Sequence, residues 1–177
     1  MNLEEMRKDC AIKQKKGIHF ILASIIIWTA VLIVHLIDIP ILTKNLLTFC
    51  CTAPLMPLAY LISKAIKVDF QNKDNPLTNL GILFSMNQII YLLIAMWIYN
   101  AVPGKMVMVL AMIFGAHLLP YGWLYKSKSY TAFSVVIPVT ALFIGCNFTA
   151  YIVAAVMVIF EIVFSFCLYH ENREMSM

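Results

Sequence analysis

Six runs of about twenty mostly apolar residues follow one another along the chain, and none of its cations lies inside one. A helix of that length rises about 30 Å, the thickness of a bilayer's hydrocarbon core. Lipid offers no hydrogen bonds to an exposed backbone, so such runs specify helices, which satisfy their own amides. The chain therefore reads as all-α: a polytopic membrane protein forming a six-transmembrane-helix bundle. The spans are expected at residues 17–37, 44–64, 77–99, 105–125, 130–146 and 149–169. The whole of 17–169 is read as a single transmembrane domain. With 62% hydrophobic and 12% charged residues, the chain departs from the half-apolar, quarter-charged average of soluble domains.

The flanking segments set the boundaries. Residues 1–16 are polar and mixed in charge, with Leu3, Met6 and Cys10 at helical spacing, which predicts a short amphipathic segment at the membrane interface. The first apolar run is too long for a cleavable signal peptide, and no small-residue cleavage site follows it. Asp38 and Pro40 end the first span. Val68 to Pro76 (VDFQNKDNP) is a loop, and residues 170–177 (HENREMSM) form a polar tail.

Orientation follows from the cations. Eleven Lys and Arg residues fall on the side carrying both termini, against two, Lys44 and Lys105, on the other. By the positive-inside rule the basic side is cytoplasmic, so the expected placement is the plasma membrane with both termini in. The same distribution argues against nucleic acid as a partner, because the charge flanks apolar spans instead of forming a basic face. Membrane lipids are the implied surroundings. Five cysteines without a C-x-x-C spacing support neither a metal site nor a disulfide framework.

Polar groups at membrane depth are costly and so mark candidate sites. Glu161 is the one acidic residue inside a span. No Lys or Arg shares its depth, so a protonated carboxyl is expected there. His117 lies near the middle of the fourth span, and Asn87 and Gln88 at the middle of the third. Together, Glu161, His117, Asn87 and Gln88 are the expected lining of a midplane polar pocket that binds substrate. A Glu with a His also suits proton-coupled movement of a small-molecule solute. Pro54, Pro57, Pro120 and Pro138 should kink the second, fourth and fifth helices and free carbonyls nearby. His35 with Asp38, and His170 with Glu171, read as solvated pairs at span ends, and His19 as a snorkelling side chain.

Catalytic motifs are absent: no H-E-x-x-H, no G-x-S-x-G, no phosphate loop and no cofactor fingerprint. The favoured function is a small-solute membrane transporter or solute-binding membrane subunit. The alternatives are a non-catalytic membrane partner or immunity-type subunit, and a lipid-modifying membrane enzyme using His117 or Glu161 as acid or base. Ala111, Gly115 and Ala116 have the small-residue spacing that packs helices against a membrane protein partner or in a homo-oligomer.

Two segments repeat loosely, Ala53 to Leu61 (APLMPLAYL) and Ala116 to Leu124 (AHLLPYGWL), suggesting a duplicated helical hairpin. Leu42 to Lys64 and Val102 to Lys128 resemble an uncharacterised family of small bacterial (Bacillus-like) multi-pass membrane proteins with no assigned function. The resemblance implies a bacterial plasma membrane and a compact multi-helix bundle, and it carries over no catalytic or binding residue. Size and helix number are similar to those of the substrate-binding subunits of vitamin importers, without a shared motif.

Overall fold

Local sequence signals place the first helix. In the computed structural model, which describes residues 2–175, Asn2 caps helix α1 (Leu3–Lys13) through a capping box with Glu5. Met1 and the last two residues of the expected tail, Ser176 and Met177, lie outside the described residues. The chain then turns through Lys15, Lys16 and Gly17, all in the left-handed region with φ of 45°, 49° and 67°. Seven further helices follow: α2 (Ile18–Leu36), α3 (Ile41–Thr52), α4 (Leu55–Ala65), α5 (Leu77–Ala101), α6 (Met106–Leu124), α7 (Lys128–Asn147) and α8 (Ala150–Met175). No strand occurs among the described residues.

Six helical segments are long and apolar enough to cross a membrane: Lys15–Leu36, Ile41–Ala65, Leu77–Ala101, Pro103–Leu124, Lys128–Asn147 and Ala150–Met175. They are called spans 1 to 6. Span 2 comprises α3 and α4. The expected six-span all-α bundle is the observed architecture.

The prolines act unequally. Span 2 breaks at Ala53–Pro54, while α6 and α7 each continue as one helix through Pro120 and Pro138. The difference is one of number. Pro54 and Pro57 remove two backbone donors within one turn, whereas α6 and α7 each lose a single donor. The two segments of the loose repeat therefore differ in form, one broken and one continuous.

Spans 4 and 5 form the tightest pair, and glycines set the approach. A Cβ on Gly115 would sit 2.5 Å from the Pro138 ring and 2.8 Å from Ile137, and one on Gly122 would sit 3.1 Å from the Thr131 backbone nitrogen. Gly145 of α7 meets Met108 of α6 as closely. Gly115 and the buried Ala111 are thus consumed inside the bundle, leaving only Ala116 of that small-residue set exposed. Span 3 is the opposite case. Only 6% of its most apolar window is buried, against 50% for span 1.

Each end is closed by polar ties. At the end away from the termini, Lys44 Nζ donates to the His35 carbonyl (3.3 Å), and Lys105 Nζ to that of Gly145 (2.7 Å). Each cation thereby caps free carbonyls at a helix C-terminus. His35 is buried, and its Nε2 bonds Thr48 Oγ1 at 3.1 Å instead of pairing with Asp38. Thr48 gives its own proton to the Lys44 carbonyl (2.9 Å), so His35 Nε2 is the donor of that bond.

At the basic end, the expected solvated tail is instead the last turns of α8. Glu171 accepts from Lys16 Nζ (2.6 Å), Ser127 Oγ (2.7 Å), Ser129 N (2.9 Å) and Ser129 Oγ (2.6 Å). His170 pairs with Glu174 at 3.3 Å, not with Glu171. His19 does not snorkel: it is buried against Phe20 and Phe70, and neither ring nitrogen finds a hydrogen-bond partner among the described residues. The loop before span 3 is tied to α1 through Asp9, which accepts from Asn75 Nδ2 (2.8 Å) and Asn72 Nδ2 (3.1 Å) and pairs with Lys13 (2.8 Å).

Two outcomes follow from this packing. Gly115→Ala drives a methyl into a proline ring that cannot swing aside, so it should destabilise by about 1–3 kcal/mol, read as a lower Tm in detergent. Lys13, with help from Asn75 and Asn72, holds the Asp9 carboxyl below its ordinary range. A depressed carboxylate stabilises above its unfolded value, and that stabilisation is lost as pH falls through the lowered one. Asp9→Asn at neutral pH should therefore speed hydrogen exchange in α1 and residues 68–76, as acidification does in the parent chain.

Candidate functional site

The break in span 2 leaves space beside span 1. A cavity of about 340 Å³ occupies it, reaching spans 1 to 4, with Tyr130 of span 5 at its edge. Its size falls at the lower end of small-ligand pockets. The walls are mostly apolar, including Trp28, Leu92 and Phe114. The polar groups on them are Ser24, Thr48, Thr52, Ser85, Gln88, His117 and Tyr121. No cationic or acidic side chain lines it.

His117 sits on α6 with its ring edge-on to Phe114 and Tyr121. Its Nδ1 bonds the Phe114 carbonyl. A carbonyl only accepts, so Nδ1 carries the hydrogen and Nε2 is the acceptor of the neutral ring. Tyr121 OH donates to the Gly81 carbonyl at 3.0 Å and meets Ser85 Oγ at 2.6 Å, fixing α5 against α6.

Glu161 is fully buried on α8 and does not reach the cavity surface. The residue between them is Ser24, which lines the cavity and hydrogen-bonds Glu161 Oε2. Ser24 Oγ also lies 2.8 Å from the Ile21 carbonyl. Glu161 Oε1 has no hydrogen-bond partner, and no cation pairs with the carboxyl among the described residues. The structure thus gathers His117 and Gln88 on one cavity, places Glu161 one side chain behind it, and turns Asn87 away. Asn87 is exposed on the outer face of α5, where its Nδ2 donates to Tyr91 OH at 2.9 Å.

The cavity's basic end is floored by Gly17, Tyr125 and Tyr130. Tyr125 OH donates to Gln14 Oε1 (2.9 Å), and Tyr130 OH to the Lys16 carbonyl (2.9 Å). Sequence reasoning missed Ser24 because a lone serine in an apolar run commonly satisfies itself on its own helix. Depth was the available signal: Ser24 and Glu161 each lie about two turns in from the basic ends of the expected spans 17–37 and 149–169.

Residues 3–171 match the profile of a family of unknown function (DUF7010), and the chain belongs to that family. No curated protein and no solved structure matches it.

Removing the Ser24 hydroxyl separates the possible roles of this contact. Ser24→Ala strips a buried carboxyl of its bond and should cost about 1–3 kcal/mol, whereas Glu161→Gln keeps an amide able to bond Ser24 and should cost less. The two Tm values, measured in one detergent, test the ordering.

Proposed function

We propose that this member of a family without an assigned activity is a small-solute membrane transporter, or the solute-binding subunit of one. Its site is the cavity among spans 1 to 4, and Glu161 is the group that carries a proton. The carrying observation is the Ser24 hydroxyl, which lies on the cavity wall and bonds a fully buried, cation-free carboxyl. Pure packing has little use for an acid at this position, since an apolar residue of the same shape would avoid the desolvation cost.

The chemistry runs through one rotatable hydroxyl. With Glu161 as the acid, the carboxyl donates to Ser24 and Ser24 donates to the Ile21 carbonyl. With Glu161 as the carboxylate, Ser24 turns and donates to it. The two arrangements differ by one proton, which passes through Ser24: the hydroxyl takes the carboxyl proton as it gives its own to a water or solute acceptor in the cavity, then turns to donate to the carboxylate. Gln88 and His117 supply the directional hydrogen bonds for the solute, His117 through its Nε2 acceptor. The absence of charged side chains on the cavity wall favours a small uncharged solute with a hydrogen-bonding edge and an apolar body.

The charge distribution, eleven cations against two, supports a plasma-membrane placement with both termini cytoplasmic. The polar knot at Glu171 would then close the cytoplasmic side of the cavity. A second reading, a partner subunit working by contact, draws on span 3, whose outer face exposes Ile82, Met86, Leu93 and Trp97.

The test is proton movement in liposomes with an entrapped pH indicator, across a panel of small neutral solutes. For an active solute, the parent chain should couple the solute gradient to proton flow. Glu161→Gln should bind the solute yet move no protons, and Gln88→Leu should lose binding. Undiminished proton flow in Glu161→Gln would overturn the role given to the carboxyl. A panel without any coupled solute would favour the partner subunit.

A further inference from the structure

A second recess lies on the outer surface, along the seam between α2 and α8. It encloses about 920 Å³, more than twice the inner cavity's volume. Its walls are Ile18, Leu22 and Ile25 of α2 and Ile162, Phe166 and Tyr169 of α8. These α2 residues lie on a different face from Ile21, Ser24 and Trp28, which line the inner cavity, so the recesses are separate. The wall opens outward: Phe166 is 71% and Tyr169 63% exposed.

Charge is confined to one end. Lys15 and Arg173 stand at the basic end of the groove, where the polar ties of the bundle begin. Lys15 Nζ spends one of its three N–H groups on the Ile66 carbonyl (2.6 Å), leaving two. Arg173 makes no ion pair among the described residues and is exposed. From Ile18 to Ile25 the apolar wall continues about 10 Å into the span, without a polar group on α2.

The geometry points to a binding site for an anionic glycerophospholipid, its phosphate between Lys15 and Arg173 and an acyl chain lying between α2 and α8. An apolar groove in a helix wall already facing hydrocarbon fits a chain, and two cations at its mouth fit a net negative head group over a zwitterionic one. Tyr169 stands at the depth where aromatic side chains meet head groups. A soluble phosphate ester would leave the apolar length of the groove unused, and a second copy of this chain would set like cations against each other.

Native mass spectrometry of the detergent-purified full chain, offered phosphatidylglycerol and phosphatidylcholine in equal amounts, tests the assignment. The expected result is one phosphatidylglycerol retained in preference. Arg173→Gln should weaken that retention about fivefold, the attraction of one juxtamembrane cation, while Lys73→Gln on an exposed loop at the same end leaves it unchanged. Ile162→Trp, which fills the groove and spares both cations, should abolish it. Lys15→Gln disturbs the turn before α2, so Arg173→Gln decides if that variant misfolds. Equal retention of the two lipids, equal losses in the Arg173 and Lys73 variants, displacement by glycerol phosphate, or dimers in place of lipid-bound monomers would each overturn it.

Discussion

The Glu171 carboxylate is the contact on which the basic end of this bundle depends. It gathers a lysine from the first corner and two serines from the start of span 5, Ser127 and Ser129, using four donors on two oxygens. A half-buried ion pair stabilises little unless further hydrogen bonds repay its desolvation, and here three of them do. The corner it holds is intrinsically unfavourable. Lys15 and Lys16 both adopt left-handed backbone, which costs about 1–2 kcal/mol per residue bearing a Cβ. Such a corner persists only when its surroundings over-determine it. Lys16 is fixed by Glu171 and Tyr130, and Lys15 by the Ile66 carbonyl and Asn172. The same atoms seat Tyr130 and Gly17 at the floor of the cavity. The inner cavity, the first corner and the end of α8 are therefore one coupled object.

The six spans were legible because length and apolar content suffice to specify a membrane helix, and bilayer thickness fixes that length. What exceeded the bilayer was harder to read. The tail looked like solvated chain because HENREM is polar, yet Glu171 has its partners in Lys16, Ser127 and Ser129, far away in sequence. Proximity along the chain points His35 to Asp38, whereas its partner is Thr48 on the next span. Both errors have one cause: sequence gives depth, but not the azimuth at which a side chain leaves its helix. The same limit separates Gln88 from Asn87. They are adjacent, so they point about 100° apart, and the structure turns Gln88 to the cavity and Asn87 outward.

Glu161 shows the converse, a residue whose importance was visible and whose partner was not. An acid alone in an apolar run announces that something must satisfy it. The partner turned out to be the smallest hydroxyl available, at matching depth on span 1. A larger polar side chain at position 24 would fill the cavity that Ser24 now borders. Minimal size is what lets one residue serve as both wall and hydrogen-bond partner.

The glycines of α6 and α7 carry a mechanical consequence. Where glycine lets a proline ring or a neighbouring backbone come so near, two helices pack at the closest range in the bundle, so spans 4 and 5 stand together as a single plank. Across the cavity from that plank is a span cut in two at Ala53–Pro54, and beside it stands span 3, few of whose apolar residues are fully buried. Stiffness is thus distributed lopsidedly around one small void. Any breathing that changes its volume must be carried by the thin, jointed side, with the plank as the fixed jaw.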